Sequence, residues 1–131
     1  MSLLLLLQLL GYYPTVAEAS IISPITVVAS STTVPLIINA YAYRAGLSSE
    51  DADLLNRISW CESEWEPLAR GYNKRNGKVW SVDIGPMQIN SYYHGVIDDP
   101  FENIAYGISL YQKNGTRDWL SSKSCWGTES G

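Results

Sequence analysis

Hydrophobic and polar positions along this chain fall into three patterns. Leu3 to Leu10 is an apolar run broken at Gln8, shorter than the roughly 20 residues that cross a bilayer as a helix. Residues 20–46 are Ser, Thr, Pro, Val and Ile with almost no charge. No amphipathic period is read there, and Pro24 and Pro35 are expected to interrupt a helix. That stretch is predicted to be a linker or loosely packed arm with some strand character. From Ser48 onward the pattern becomes periodic.

Ser48, followed three residues later by Asp51, has the form of a capping box, and Glu50 and Asp51 suit the positive end of a helix dipole. A helix is predicted from there to Trp65. With Leu54 set to zero, a turn of about 100° per residue puts Ile58 at about 40°, Trp65 at about 20°, Cys61 at about −20° and Leu55 at about 100°. Glu62 falls at about 80°, inside that apolar arc, and Trp60 at about −120°, outside it. Glu64 falls at the edge of the arc, and Glu66 stands at the helix end before Pro67. The period therefore sends Glu62 inward, where a charge is costly unless it is paired or neutralised.

Asn76-Gly77 is a strong hairpin signal, because both central positions of a type I′ turn need φ > 0. Lys78–Ile84 alternates as a short strand and stops at Gly85-Pro86. A second helix is predicted from Pro100 to Asn114: Phe101, Ile104, Ile108 and Tyr111 recur at three and four, and Gly115 ends it. The segment from Asp118 to Gly127 is expected to pack back through Trp119, Cys125 and Trp126. The elements describe an α+β domain, mainly helical, with a short β-hairpin, spanning residues 47–131.

The composition is globular, with 46% hydrophobic and 17% charged residues among 131. A net charge of −4 without a basic stripe argues against a nucleic-acid partner. Ala17-Glu18-Ala19 after the apolar run has small-x-small spacing, so residues 1–19 read as a secretory signal peptide. The predicted location is secreted or cell-envelope. The alternative is an uncleaved anchor in which Tyr12 and Tyr13 join the apolar run, against which Gln8, Pro14 and Glu18 weigh. In an oxidising compartment the two cysteines, Cys61 and Cys125, are expected to form one disulfide. Its long loop stabilises by roughly 4–5 kcal/mol in the chain-entropy model. The lone histidine, His94, is not in ligand spacing with either cysteine, so no metal and no cofactor are expected. His94 itself reads as a surface or loop residue.

An inward Glu62 followed by Asp83 on a hairpin makes a pair of carboxyl groups. Glycoside cleavage uses such a pair: an acid protonates the leaving oxygen, and a carboxylate stabilises or bonds to the oxocarbenium-like carbon. The acid must remain protonated near neutral pH, which an apolar setting beside Trp60 and Trp65 favours. Five Trp and nine Tyr supply flat faces suited to sugar rings and equally to a small core.

The segments "CESEWEPLA", "SVDIGPMQINSYYHG" and "DPFENIAYGISLY" together resemble the lysozyme-like transglycosylase superfamily over residues 47–131. The Glu62-Ser63 pair is similar to that of soluble lytic transglycosylase domains. The hairpin "SVDIGPMQINSYY", Asp83 included, resembles that of animal-type lysozymes, and the placing of the two cysteines resembles resuscitation-promoting-factor domains. The resemblance implies a small lysozyme-like domain, a monomer, acting on peptidoglycan glycan strands. It implies Glu62 as general acid and Ser63 as a brace of the helix end. It implies Gly85, Met87, Gln88 and Ile89 as the segment meeting a sugar N-acetyl group. Asn103 matches the "N-I" pair, with Ile104, that opens the following helix, and Tyr106 a cleft tyrosine. Asp83 matches the second carboxylate of lysozymes, which many transglycosylases lack. The expected activity is lytic transglycosylase cleavage of the β-1,4 bond between N-acetylmuramic acid and N-acetylglucosamine. The alternatives are a hydrolytic muramidase, in which Asp83 takes part directly, and a wall-binding module without catalysis.

Overall fold

The computed structural model describes residues 26–127. The expected leader and Pro24 lie outside the described residues. Among the described residues, five α-helices, a 3-10 segment and a three-stranded antiparallel sheet form a small, mainly helical α+β domain. In chain order they are α1 (Val34–Arg44), α2 (Ser49–Ser63), β1 (Arg70–Arg75), β2 (Lys78–Ile84), β3 (Ile89–Asn90), α3 (Ser91–His94), α4 (Pro100–Asn114), the 3-10 segment Arg117–Ser122, and α5 (Lys123–Trp126).

The arm expected over residues 20–46 is corrected by α1. Pro35 sits in the first turn of that helix, where a backbone N–H has no intrahelical partner to lose. A turn at Ser30–Thr33 leads into it: Ser30 N donates to Thr33 Oγ1, and Val34 N donates to the Ser30 carbonyl. Val34, Ile37, Ile38 and Ala42 then recur at helical spacing and are buried. α1 packs on α2 and α4, so this segment belongs to the core.

α2 begins as expected. Ser48 accepts from Asp51 N, and the Asp51 carboxylate accepts from Ser48 N, closing the capping box. Tyr111 Oη also donates to Asp51 and ties the start of α2 to the last turn of α4. Desolvation, aided by that hydrogen bond, pushes the Tyr111 phenol up to about 12. α2 stops at Ser63 rather than Trp65, because Glu64 and Trp65 adopt φ of 52° and 60°. Two successive L-residues in the left-handed region are unfavourable by about 1–2 kcal/mol each. The Trp65 indole offsets part of this by donating to the Asn56 carbonyl and packing on Trp60.

The hairpin turns at Asn76 and Gly77, with φ of 51° and 74°, as the type I′ signal requires. β3, two residues long, pairs with the end of β2 and was not anticipated from the sequence. Its register sets Asp83 opposite Asn90 and Ile84 opposite Ile89. α4 matches its predicted span, with Asp99 capping the N-terminus and Gly115 the C-terminus. The core joins α1, α2, α4 and the 85–89 connection around Val34, Ile38, Leu55, Ile58, Met87 and Ile104, each 0% exposed. Trp119 and Trp126 close it from the C-terminal side, and the Trp119 indole donates to the Met87 carbonyl. The Cys61–Cys125 disulfide forms as expected and pins α5 to the last turn of α2. No helix among the described residues is long and apolar enough to cross a membrane.

Candidate active site

A cleft of about 360 Å³ opens between the helical part and the sheet, within the ~300–1,000 Å³ range of small-molecule sites. Glu62 lines it from the end of α2 and Asp83 from β2; Trp80, Gln88, Tyr93 and His94 are among the other walls. Two carboxyl groups far apart in sequence thus face one space, and their surroundings differ.

Glu62 is half-buried, on the side of α2 that the helical period sends inward. Ser122 Oγ donates to it, at 2.5 Å from Oε1. Desolvation raises its pKa above the ordinary glutamate value, the Ser122 hydrogen bond draws it part of the way back, and the Asp83 charge raises it again. A carboxylate at the negative end of a helix also has the wrong sign for the dipole. Glu62 is therefore disposed to keep its proton, as a general acid must.

Asp83 has two amide partners. Asn90 Nδ2, directly across from it on β3, donates to Oδ1 at 2.8 Å, and Asn73 Nδ2 on β1 donates to Oδ2 at 3.0 Å. Both asparagines also donate to Ser81 Oγ, which fixes their side chains in turn. Each Asp83 oxygen keeps a lone pair for the cleft, since a carboxylate offers about four acceptor sites. Gly71 stands opposite Asp83 in the register, and a Cβ there would lie 3.1 Å from Gln88 Oε1.

The 85–88 turn is held by groups that do not themselves enter the cleft. Ser59 and Ser63, one helical turn apart, both reach the Pro86 carbonyl, at 2.8 and 2.9 Å. Ser63 thus braces the end of α2 and does not line the cleft. Asn103, fully buried, accepts from Met87 N and donates to the carbonyls of Ile84 and Ile97. Gly85 has φ of 77°, and a Cβ on it would come within 2.6 Å of the Asn103 side chain. A larger residue there would face both backbone strain and a clash.

The residues that the resemblance assigned to the site divide by where their side chains lie. Met87 is fully buried against Gly107, so its side chain has no access to a ligand. Asn103 and Gly85 shape the turn from behind. Ile89 is 2% exposed and contributes only an edge. Gln88 does line the cleft, and its Nε2 donates to the carbonyls of Gly85 and Ala69, while its φ of 50° is set by the turn. Tyr106 lies behind His94, its hydroxyl 3.0 Å from Nδ1. His94, read from sequence as a surface or loop residue, is a half-buried part of the wall, with Asp118 4.0 Å from Nε2. Trp60 lies off the cleft and lines a separate groove with Pro35, Trp65 and Glu66.

The sequence reading missed Ser122, Asn73 and Asn90. Asn73 and Asn90 stand ten residues before and seven residues after Asp83 and carry no periodic signal, and Ser122 reaches Glu62 across 60 residues. Among the described residues no group of three or more His, Cys, Asp or Glu side chains gathers as a metal site would require. No protein-family model matches this chain, and no curated protein matches it at a significant level.

Proposed function

We propose that this protein is a glycosidase that cleaves the β-1,4 bond between N-acetylmuramic acid and N-acetylglucosamine in peptidoglycan. The observation that carries the proposal is the unequal pair: a desolvated Glu62 with a raised pKa shares one cleft with an Asp83 held by two amide donors. Glu62 protonates the glycosidic oxygen as the bond breaks, and Asp83 faces the positive charge that develops on the anomeric carbon. Because the amides are already oriented, Asp83 needs no reorganisation when that charge appears. The aromatic edges of Trp80 and Tyr93 in the walls suit sugar faces. The choice of peptidoglycan rests on the sequence resemblance, and the expectation of an exported protein agrees with an extracytoplasmic polymer.

The fate of the glycosyl centre separates two readings. The placement of Asp83 in the cleft favours water as the final acceptor, hence a hydrolytic muramidase. The whole-domain resemblance favours a transglycosylase, in which the sugar's own C6 hydroxyl attacks and leaves a 1,6-anhydro end. Mass spectrometry of digested peptidoglycan decides between them. Hydrated products support the hydrolase, anhydro products the transglycosylase, and undigested glycan removes the catalytic proposal.

A further inference from the structure

The C-terminal segment contributes a group that the two-carboxyl mechanism alone does not use. Ser122 Oγ lies 2.5 Å from Glu62 Oε1, 3.0 Å from Trp126 Nε1 and 3.1 Å from the Trp119 carbonyl. Trp126 Nε1 is also 3.1 Å from that same carbonyl. Trp119 and Trp126 are both buried, so the donors and acceptors around Ser122 have little access to water.

A hydroxyl has one proton to give and two lone pairs to offer. When Glu62 is ionised, Ser122 donates to it and accepts from Trp126. When Glu62 is protonated, its O–H points to Ser122 Oγ, and the serine proton turns to the Trp119 carbonyl. That carbonyl has lone pairs for both the serine and the indole. Each protonation state is fully paired, and the exchange needs only rotation of one hydroxyl. A buried group left unpaired in either state would instead cost about 1–3 kcal/mol.

We infer that Ser122 is a positioning residue for proton exchange at Glu62, serving it as donor in the ionised state and as acceptor in the neutral one. The inference rests on the glycosidase reading, in which Glu62 gives up a proton and later regains it. Trp126 and Trp119 set the serine in place, and the disulfide one residue before Trp126 anchors this group to α2 beside Glu62. The charged and titratable groups that share the cleft with Glu62 are Asp83 from β2, Tyr93 and His94 from α3 and Asp118 from the 3-10 segment, and Arg57 of α2 donates to the Trp126 carbonyl. Of these, Asp83 is the charge that acts on Glu62, and it raises the pKa, whereas the Ser122 hydrogen bond lowers it.

The test is a carboxyl-carbon NMR titration of Glu62 in wild type, Ser122→Ala, Ser122→Gly and Ser122→Thr, alongside pH profiles of peptidoglycan cleavage. Removal of the hydroxyl leaves the Trp126 N–H its bond to the Trp119 carbonyl, so Ser122→Ala is expected to fold, and Ser122→Gly deletes the same group with different packing. In both, the Glu62 midpoint is expected to move upward, the alkaline limb of kcat to move with it, and kcat to fall on the order of 10- to 100-fold with KM unchanged. Ser122→Thr is expected to restore all three. A Glu62 midpoint that stays put in the variants overturns the inference whatever the activity. A midpoint that moves without the pH profile of kcat following it overturns the catalytic use of the pair. A midpoint that moves in a protein whose wild type cleaves no peptidoglycan overturns the glycosidase reading, and the functional part of the inference with it.

Discussion

The end of α2 and the middle of the sheet present the same functional group in opposite ways. At the helix end, Glu62 is desolvated and meets a serine hydroxyl that can either donate or accept a hydrogen bond. On the sheet, Asp83 receives N–H groups on both oxygens from side chains fixed by neighbouring strands. Amide N–H groups only donate, so each Asp83 oxygen is met by a fixed donor. The difference teaches that acid and charge carrier are specified by the partners each carboxyl is given. One partner can give or accept a proton, and the others only donate.

The comparison breaks outright if Glu62 is dispensable. Glu62→Gln keeps the shape and removes the titrating proton, so it is expected to abolish cleavage of peptidoglycan while circular dichroism and melting stay near wild type. Activity retained in this variant ends its role as the acid. Asp83→Asn tests the other partner. Loss of a preorganised charge is expected to lower kcat by roughly 10²–10³-fold with little change in KM. An activity loss of less than about fivefold, together with anhydro products from the wild type, would mean that Asp83 only braces the hairpin.

The two regions also differ in what anchors them, since the disulfide holds the helix end and leaves the sheet to its own ladder. Replacing Cys61 and Cys125 by Ser is expected to lower stability by about 2–5 kcal/mol in urea denaturation. Faster amide exchange is expected in α5 and the last turn of α2, with the hairpin unchanged. Uniform loosening of both regions would show that they are not independently held. The native protein should contain no free thiol when unfolded without reductant.

The smallest expected effect is on stability against pH. Burial first, then the Asp83 charge, put the Glu62 pKa above the ordinary 4.5, so ionisation is less favourable in the folded than in the unfolded chain. The stability associated with the neutral form is complete below 4.5 and is lost as pH rises through the folded value. Glu62→Gln cannot ionise, so its melting temperature is expected to match that of wild type below pH 4.5 and to exceed it slightly at pH 7. Other groups titrate in both proteins and cancel in the difference. A gap that widens toward acid pH instead would reverse the direction assigned to Glu62.

Local physics made much of this molecule legible in the sequence. The Ser48–Asp51 capping box, the Asn76-Gly77 turn and the Pro100 to Gly115 span each depend on a few adjacent residues, and each stands where it was expected. The inward face of Glu62 followed from the helical period, and the Cys61–Cys125 pairing from there being two cysteines in all. α1 was not read from the sequence: Val34, Ile37, Ile38 and Ala42 are buried at helical spacing, but the uncharged residues between them blur the period, and Pro35 reads as an interruption until the Ser30–Thr33 turn places it in the first turn. Tertiary structure alone decided the rest. β3 exists because Ile89 and Asn90 find the end of β2, and two residues have no intrinsic preference strong enough to announce a strand. Met87 sits in a segment that the resemblance assigns to the cleft, and packing turned its side chain to the core, where Asn103 of α4 also lies. Ser122 meets Glu62 from 60 residues away because two buried tryptophans and a disulfide bring the chain's end back to α2. Such contacts are determined by how the core closes, and no local pattern of residues encodes that closure.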